Sequence, residues 1–111
     1  MRIKFDANIE TMNSILGILE RKRLSSKDFE YYVKLTHYAI KKIVRLFLLY
    51  RKWGTERVLV RALECRDAEI GKIAYKSLLQ GEASGFKLYK RTILKLRKFE
   101  ESMMPEKGEG D

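Results

Sequence analysis

Residues 25–54 read SSKDFEYYVKLTHYAIKKIVRLFLLYRKWG, and the apolar period of that stretch sets what the chain can become. Ser25 opens a Ser-x-x-Asp pattern ending at Asp28, in which the hydroxyl can accept from the free N–H groups of a first helical turn. Gly54 supplies a helix stop at the far end, since glycine tolerates the left-handed backbone that closes many helices. Between them Phe29, Tyr32, Val33, Ala39, Ile40, Ile43, Val44 and Phe47 fall within half the circumference when wound at about 100° per residue. An apolar face this broad predicts a central helix packed against several neighbours. Leu35, Leu46, Leu48 and Leu49 widen it.

The neighbours show the same period. Upstream, Ile9, Met12, Ile15, Leu16 and Leu19 mark one face of a helix over about residues 8–24. Asp6 or Asn8 can cap it, and Arg21-Lys22-Arg23 close it with charges that suit C-terminal carbonyls. A short strand at Arg2–Phe5 fits the sequence, without a visible partner. Downstream, Thr55 can cap a segment in which Leu59, Ala62, Leu63, Ile70, Ile73, Ala74, Ser77 and Leu78 keep one phase to Gln80. One helix, or two broken near Arg66-Asp67, both fit, and Gly81 ends the segment. A last helix starts at Ser84 and carries Phe86, Tyr89, Ile93, Leu96 and Met103 on one face. The expected fold is all-α: a compact bundle of four to five helices, one domain over residues 1–103. A frayed acidic tail follows over residues 104–111.

At 111 residues and 45% hydrophobic composition, one globular domain is the expectation. The first residues hold no apolar stretch suited to export, and the longest apolar run, Leu46–Tyr50, is far too short for a membrane span. A cytoplasmic location is therefore expected, with no membrane partner. Amides are few (Asn8, Asn13 and Gln80) and charged side chains abundant, the bias seen in hyperthermophiles; a thermophilic, archaeal source is expected.

Charge points to the partner. The chain has 24 Lys and Arg against 15 Asp and Glu. Five of those acids and one lysine lie in residues 100–111, so the preceding 99 residues carry +13. On the side of the central helix opposite its apolar face, Lys27, Lys34, Tyr38, Lys41, Arg45 and Lys52 occupy an arc of roughly 60°. Lys42 and Tyr31 flank it. The last helix repeats the theme with Lys87, Lys90, Arg91, Lys95, Arg97 and Lys98, and has no acidic residue between Ala83 and Phe99. Phosphates are the natural counterpart of such strips, because binding releases condensed counterions, and Tyr31 and Tyr38 can stack on unpaired bases. Residues 55–80 carry only +1 and are the expected face for a partner protein or a second copy.

Catalytic and metal chemistry find no foothold. His37 lies beside the apolar arc with no serine or cysteine nearby, and reads as edge-of-core packing. Cys65, the lone cysteine, reads as a small semi-buried residue. Glu64, Asp67 and Glu69 are spread around a helix rather than converging on a metal. Gly81-x-x-x-Gly85 lacks the Gly-Lys-Ser/Thr of a phosphate loop. Ala74–Phe99 invites a helix-turn-helix reading, but Ala74 and Gly81 are spaced too widely for that motif. Trp53 reads as a packing anchor at a helix end. No enzyme and no cofactor are expected.

Three pieces, in order, resemble a known family. Leu24-Ser25-Ser26-Lys27-Asp28-Phe29-Glu30-Tyr31 is similar to the Leu-x-x-x-Asp-Phe-Tyr start of a long helix in GINS subunits of the replicative helicase complex. Arg66 with Ile70, Lys72, Ile73 and Ala74 resembles their Arg-x-x-Lys-Ile-x-x-Ala segment, and Leu88-Tyr89 resembles a Leu-Tyr before their final helix. Glu30 interrupts the first pattern, the second is stretched, and the family's small β-domain is missing. The resemblance covers about residues 16–104 and implies an α-helical assembly subunit in DNA replication.

The first expectation is a non-enzymatic nucleic-acid-associated protein of low sequence specificity. Its nucleic-acid-binding residues are Lys34, Tyr38, Lys41, Lys42, Arg45 and Lys52 on one helix and Lys87, Arg91, Lys95 and Lys98 on another. The alternative is a helical interaction subunit of an oligomer or larger complex.

Overall fold

Capping side chains set where three of the helices begin. In a computed structural model that describes residues 6–21 and 23–103, the order is α1 (Ala7–Leu19), α2 (Ser26–Tyr50), α3 (Thr55–Leu63), α4 (Ala68–Ala83) and α5 (Lys90–Met103). Among the described residues there is no strand. Asp6 caps α1 by accepting from Asn8 N at 2.8 Å, Ser25 caps α2 by accepting from Asp28 N at 3.1 Å, and Asp67 caps α4 by accepting from Ile70 N at 3.1 Å. The segment after Thr55 is thus two helices, broken where Asp67 offers a new cap. The strand expected at residues 2–5 and the tail at 104–111 lie outside the described residues.

Several helix ends differ from the sequence expectation, each for a local reason. Helix α1 stops at Leu19, short of the basic triplet. Its last carbonyls are served instead by Arg66, which donates to Leu19 O at 2.7 Å and Arg21 O at 3.0 Å while its guanidinium lies 5.0 Å from the Phe29 ring centre. Helix α2 stops before Gly54: Arg51 takes the left-handed conformation (φ 47°, ψ 42°), and Lys52 N donates to Leu46 O at 3.1 Å. Gly54, at φ 91°, is the residue before α3 rather than the end of α2. Thr55 provides no cap, because its hydroxyl donates back to Lys52 O at 2.6 Å. Gly81 does not end α4, which runs on to Ala83. A Cβ at position 81 would stand 2.8 Å from Phe47 ring atoms and 2.9 Å from Phe86, so glycine serves close packing there. The last helix begins at Lys90, not Ser84, because residues 86–89 run non-helical. A carboxylate from α3 holds its start: Glu56 accepts from Tyr89 N at 2.9 Å and from the Thr92 hydroxyl.

One apolar cluster joins all five helices. Met12 and Leu16 of α1, Ile40, Ile43 and Phe47 of α2, and Leu59 and Leu63 of α3 meet Ile70, Ala74 and Leu78 of α4 and Leu96 of α5. Burying each large member stabilises the fold by about 1.5–3 kcal/mol. On α5 the buried residues are Thr92 and Leu96, whereas Met103 and, just before the helix, Tyr89, both expected on the apolar face, are exposed. The Cα envelope measures 57 × 40 × 19 Å. With helix axes about 8–10 Å apart, its short dimension holds two layers, so each helix keeps a side toward solvent.

Polar staples tie the layers together. Arg61 of α3 grips Glu20 at the end of α1 with two hydrogen bonds, at 2.8 and 2.9 Å, and also donates to Asn13. On α5, Arg97 forks onto Glu82 and reaches Glu100, which accepts from the Tyr75 hydroxyl at 2.8 Å. The hydrogen bond from Arg61 holds the Glu20 carboxyl below its ordinary value of 4.5, against the opposing pull of partial burial. A carboxyl depressed in the folded state favours folding above its unfolded pKa, and that contribution fades as pH falls through the folded value. Glu20→Gln is therefore expected to flatten the acid side of the stability curve below about pH 4.5. Urea melts between pH 3 and 7 check this; an unchanged acid limb would dismiss the linkage.

Candidate nucleic-acid interface

The wide apolar face of α2 turns inward on Ile40, Ile43 and Phe47, so helical geometry forces the opposite side into solvent. Lys27, Lys34, Lys41, Lys42 and Arg45 are all exposed there. Tyr31 and Tyr38 stand among them, 57% and 76% exposed. Asp28 and Glu30 are the only carboxylates on α2 and sit in its first turns. Among the described residues, none of the five cations has a carboxylate within ion-pairing distance. The predicted site residues Lys34, Tyr38, Lys41, Lys42 and Arg45 thus form one continuous exposed strip.

Lys52 does not extend that strip. It lies beyond the helix end, and its ammonium is 3.6 Å from the Asp6 carboxylate. Hydrogen bonds from Asn8 and Ile9 and the Lys52 charge together hold Asp6 below its ordinary value, outweighing desolvation, the largest single influence, which acts upward.

The second predicted group is only partly available. Lys95 pairs with Glu64, just past the end of α3, at 2.7 Å, and Arg97 is held by Glu82 and Glu100. Glu100 is on α5 itself, whereas Glu82 comes from α4 and Glu64 from the end of α3. Lys87, Lys90, Arg91 and Lys98 are exposed and, among the described residues, unpaired. The backbones of α2 and α5 do not approach each other closely; each packs on α3 and α4. The ten predicted residues therefore fall into two surfaces, not one.

Beside the second surface runs a groove of about 1320 Å³, walled by α3, residues 51–54 at the end of α2, and the start of α5. It collects Arg91, Lys95, Lys87 and Lys52 from the predicted set and adds Arg51, Arg57 and Arg61. Arg51 lies over the Phe86 ring, 4.1 Å from its centre, and Phe86 meets Phe47 edge to face at 5.2 Å. Trp53 and Tyr89 also line the groove, 72% and 63% exposed. Trp53 is therefore not the packing anchor its place beside Gly54 suggests. Sequence reasoning missed Arg51, Trp53, Arg57 and Tyr89 as neighbours, because they come from segments up to 38 residues apart. A tryptophan beside the glycine at 54 was the one available hint. Residues 55–80, the expected face for a partner protein or a second copy, contribute Arg57, Val60 and Arg61 to this groove.

The remaining candidates show no catalytic or metal-binding arrangement among the described residues. His37 Nε2 is 3.5 Å from the Asp67 carboxylate. Burial pushes the Cys65 thiol up, which leaves it neutral and poorly nucleophilic at neutral pH. Among the described residues no group of three or more His, Cys, Asp or Glu could hold a metal. None of their helices is long and apolar enough to cross a membrane.

The chain matches no known family model, and no curated protein or solved structure is significantly similar to it.

Proposed function

We propose that this is a non-enzymatic nucleic-acid-binding protein that holds phosphates on basic helix faces with low sequence specificity. One observation carries the reading. Where cations serve the fold, as at Arg61, Lys95 and Arg97, they meet carboxylates; the α2 strip has none among the described residues, over several turns. Phosphate contacts of this kind position a protein on a nucleic acid without reading its bases.

The test is salt dependence. Fluorescence anisotropy with short labelled duplexes and single strands should give a plot of log affinity against log salt. Four phosphate contacts, at Lys34, Lys41, Lys42 and Arg45, correspond to a slope of about −3 to −4. Affinity should then fall roughly a hundredfold between 50 and 200 mM salt. No binding at 50 mM, or a flat plot, would overturn the reading.

A second reading, a helical interaction subunit of an oligomer or larger complex, is favoured by Leu49, Tyr50 and Leu94, exposed at 64%, 69% and 70%. The resemblance to GINS subunits would give it a place in DNA replication. Light scattering at micromolar concentration separates the two: a clean monomer that binds oligonucleotides supports the first, and an oligomer indifferent to them the second.

A further inference from the structure

We infer that the groove between α3, residues 51–54 and the start of α5 takes a single-stranded nucleic-acid segment, with bases on the Trp53 and Tyr89 rings and phosphates at Arg57, Lys87 and Arg91. The inference rests on the nucleic-acid reading above and adds to it a preferred form of ligand and a second surface.

The charge argument comes from what each groove residue already does. Both carboxylates of the groove are engaged within the fold: Glu56 accepts from Tyr89 N and the Thr92 hydroxyl, and Glu64 pairs with Lys95. Arg57, Lys87 and Arg91 have no carboxylate partner among the described residues, and all three are exposed. The groove therefore presents uncompensated positive charge along its length.

The aromatic argument is independent. Tryptophan and tyrosine rings ordinarily bury most of their area, yet both rings bordering this groove face solvent. An indole and a phenol beside guanidinium groups are the elements of a stacking platform for single strands, where base faces rest on rings and cations track the backbone. In a duplex the base faces are stacked on one another, so only an unpaired strand can use them. An acidic peptide could satisfy the arginines but has no flat faces for both rings. The volume exceeds the about 300–1,000 Å³ of small-molecule clefts, as suits a passing chain.

Trp53 is the only tryptophan, so its fluorescence reports on the groove directly. Titrating the full chain with short oligodeoxythymidylate should quench it, whereas a duplex of equal length should bind with little quenching. In anisotropy measurements Trp53→Ala and Tyr89→Ala should each weaken single-strand binding about fivefold to a hundredfold. Trp53→Phe should recover most of the loss, and duplex affinity and thermal melting should stay at wild-type values. If duplexes bind but Trp53→Ala leaves single-strand affinity unchanged, the groove inference fails and the α2 reading stands. If the wild-type chain binds neither form at low salt, both fail. Polyglutamate quenching Trp53 as strongly as oligodeoxythymidylate would make the occupant an acidic protein and overturn the inference.

Discussion

Replacing Gly81 with valine is expected to lower the melting temperature by roughly 10–20 °C, the equivalent of about 2–4 kcal/mol in a domain of this size. Gly81 is buried inside α4, where helix propensity alone would favour almost any other residue by up to about 1 kcal/mol. Packing reverses that preference. A first carbon on this backbone would lie 2.8 Å from two Phe47 ring atoms and 2.9 Å from Phe86. Phe47 is 3% exposed and belongs to the core, so it has little room to withdraw. Valine adds two further methyl groups with a stiff rotamer, and overpacking of this sort costs about 1–3 kcal/mol or more. Thermal melts by circular dichroism check the result, and a wild-type melting temperature would refute it. Pairing Gly81→Ala with Phe47→Leu should cost less than the sum of the single changes, as expected for side chains competing for one space. Because Phe47 and Phe86 also line the groove, the valine variant should lose single-strand affinity along with stability.

Reversing Lys41 and Arg45 to glutamate should act in the opposite manner, on binding and not on folding. Both side chains are exposed and, among the described residues, have no carboxylate partner, so their removal leaves no buried charge uncompensated. Surface changes of this kind usually move stability by no more than about 0.5 kcal/mol. Duplex affinity should drop at least about tenfold at 50 mM salt, and the duplex salt slope should shrink by about 2. The matched experiment is an anisotropy titration over a salt series, with a thermal melt of the same samples. Lost stability in step with lost binding would mean that these side chains serve the fold, and the strip would lose its claim as a ligand surface.

The contrast between these two sites explains what could be read from the sequence. Helix α2 was legible at its start because Ser25 bonds Asp28 N three residues away, and on both faces because a helix of 25 residues repeats its pattern many times. Its basic strip was legible for the same reason. Helix ends were less so. Glycines at 54 and 81 suggested stops, but Arg51 takes the left-handed backbone itself, and Gly81 answers to rings on two other segments. The groove was hidden because its logic is long-range. Glu56 meets Tyr89 33 residues along the chain, and Glu64 meets Lys95 after 31. No local pattern distinguishes Lys95, which is paired, from Arg91, which is not. Arg66 teaches the same point, since it finds the carbonyls ending α1 more than forty residues upstream.

The separation of α2 from α5 bears on how this chain tolerates an excess of nine positive charges. Exposed charges lose sight of one another over about 8 Å at physiological ionic strength, and helices whose backbones do not pack together stand farther apart than the about 8–10 Å of packed axes. Mutual repulsion between the two cationic sides is therefore largely screened, and each can remain densely charged without straining the fold that carries it.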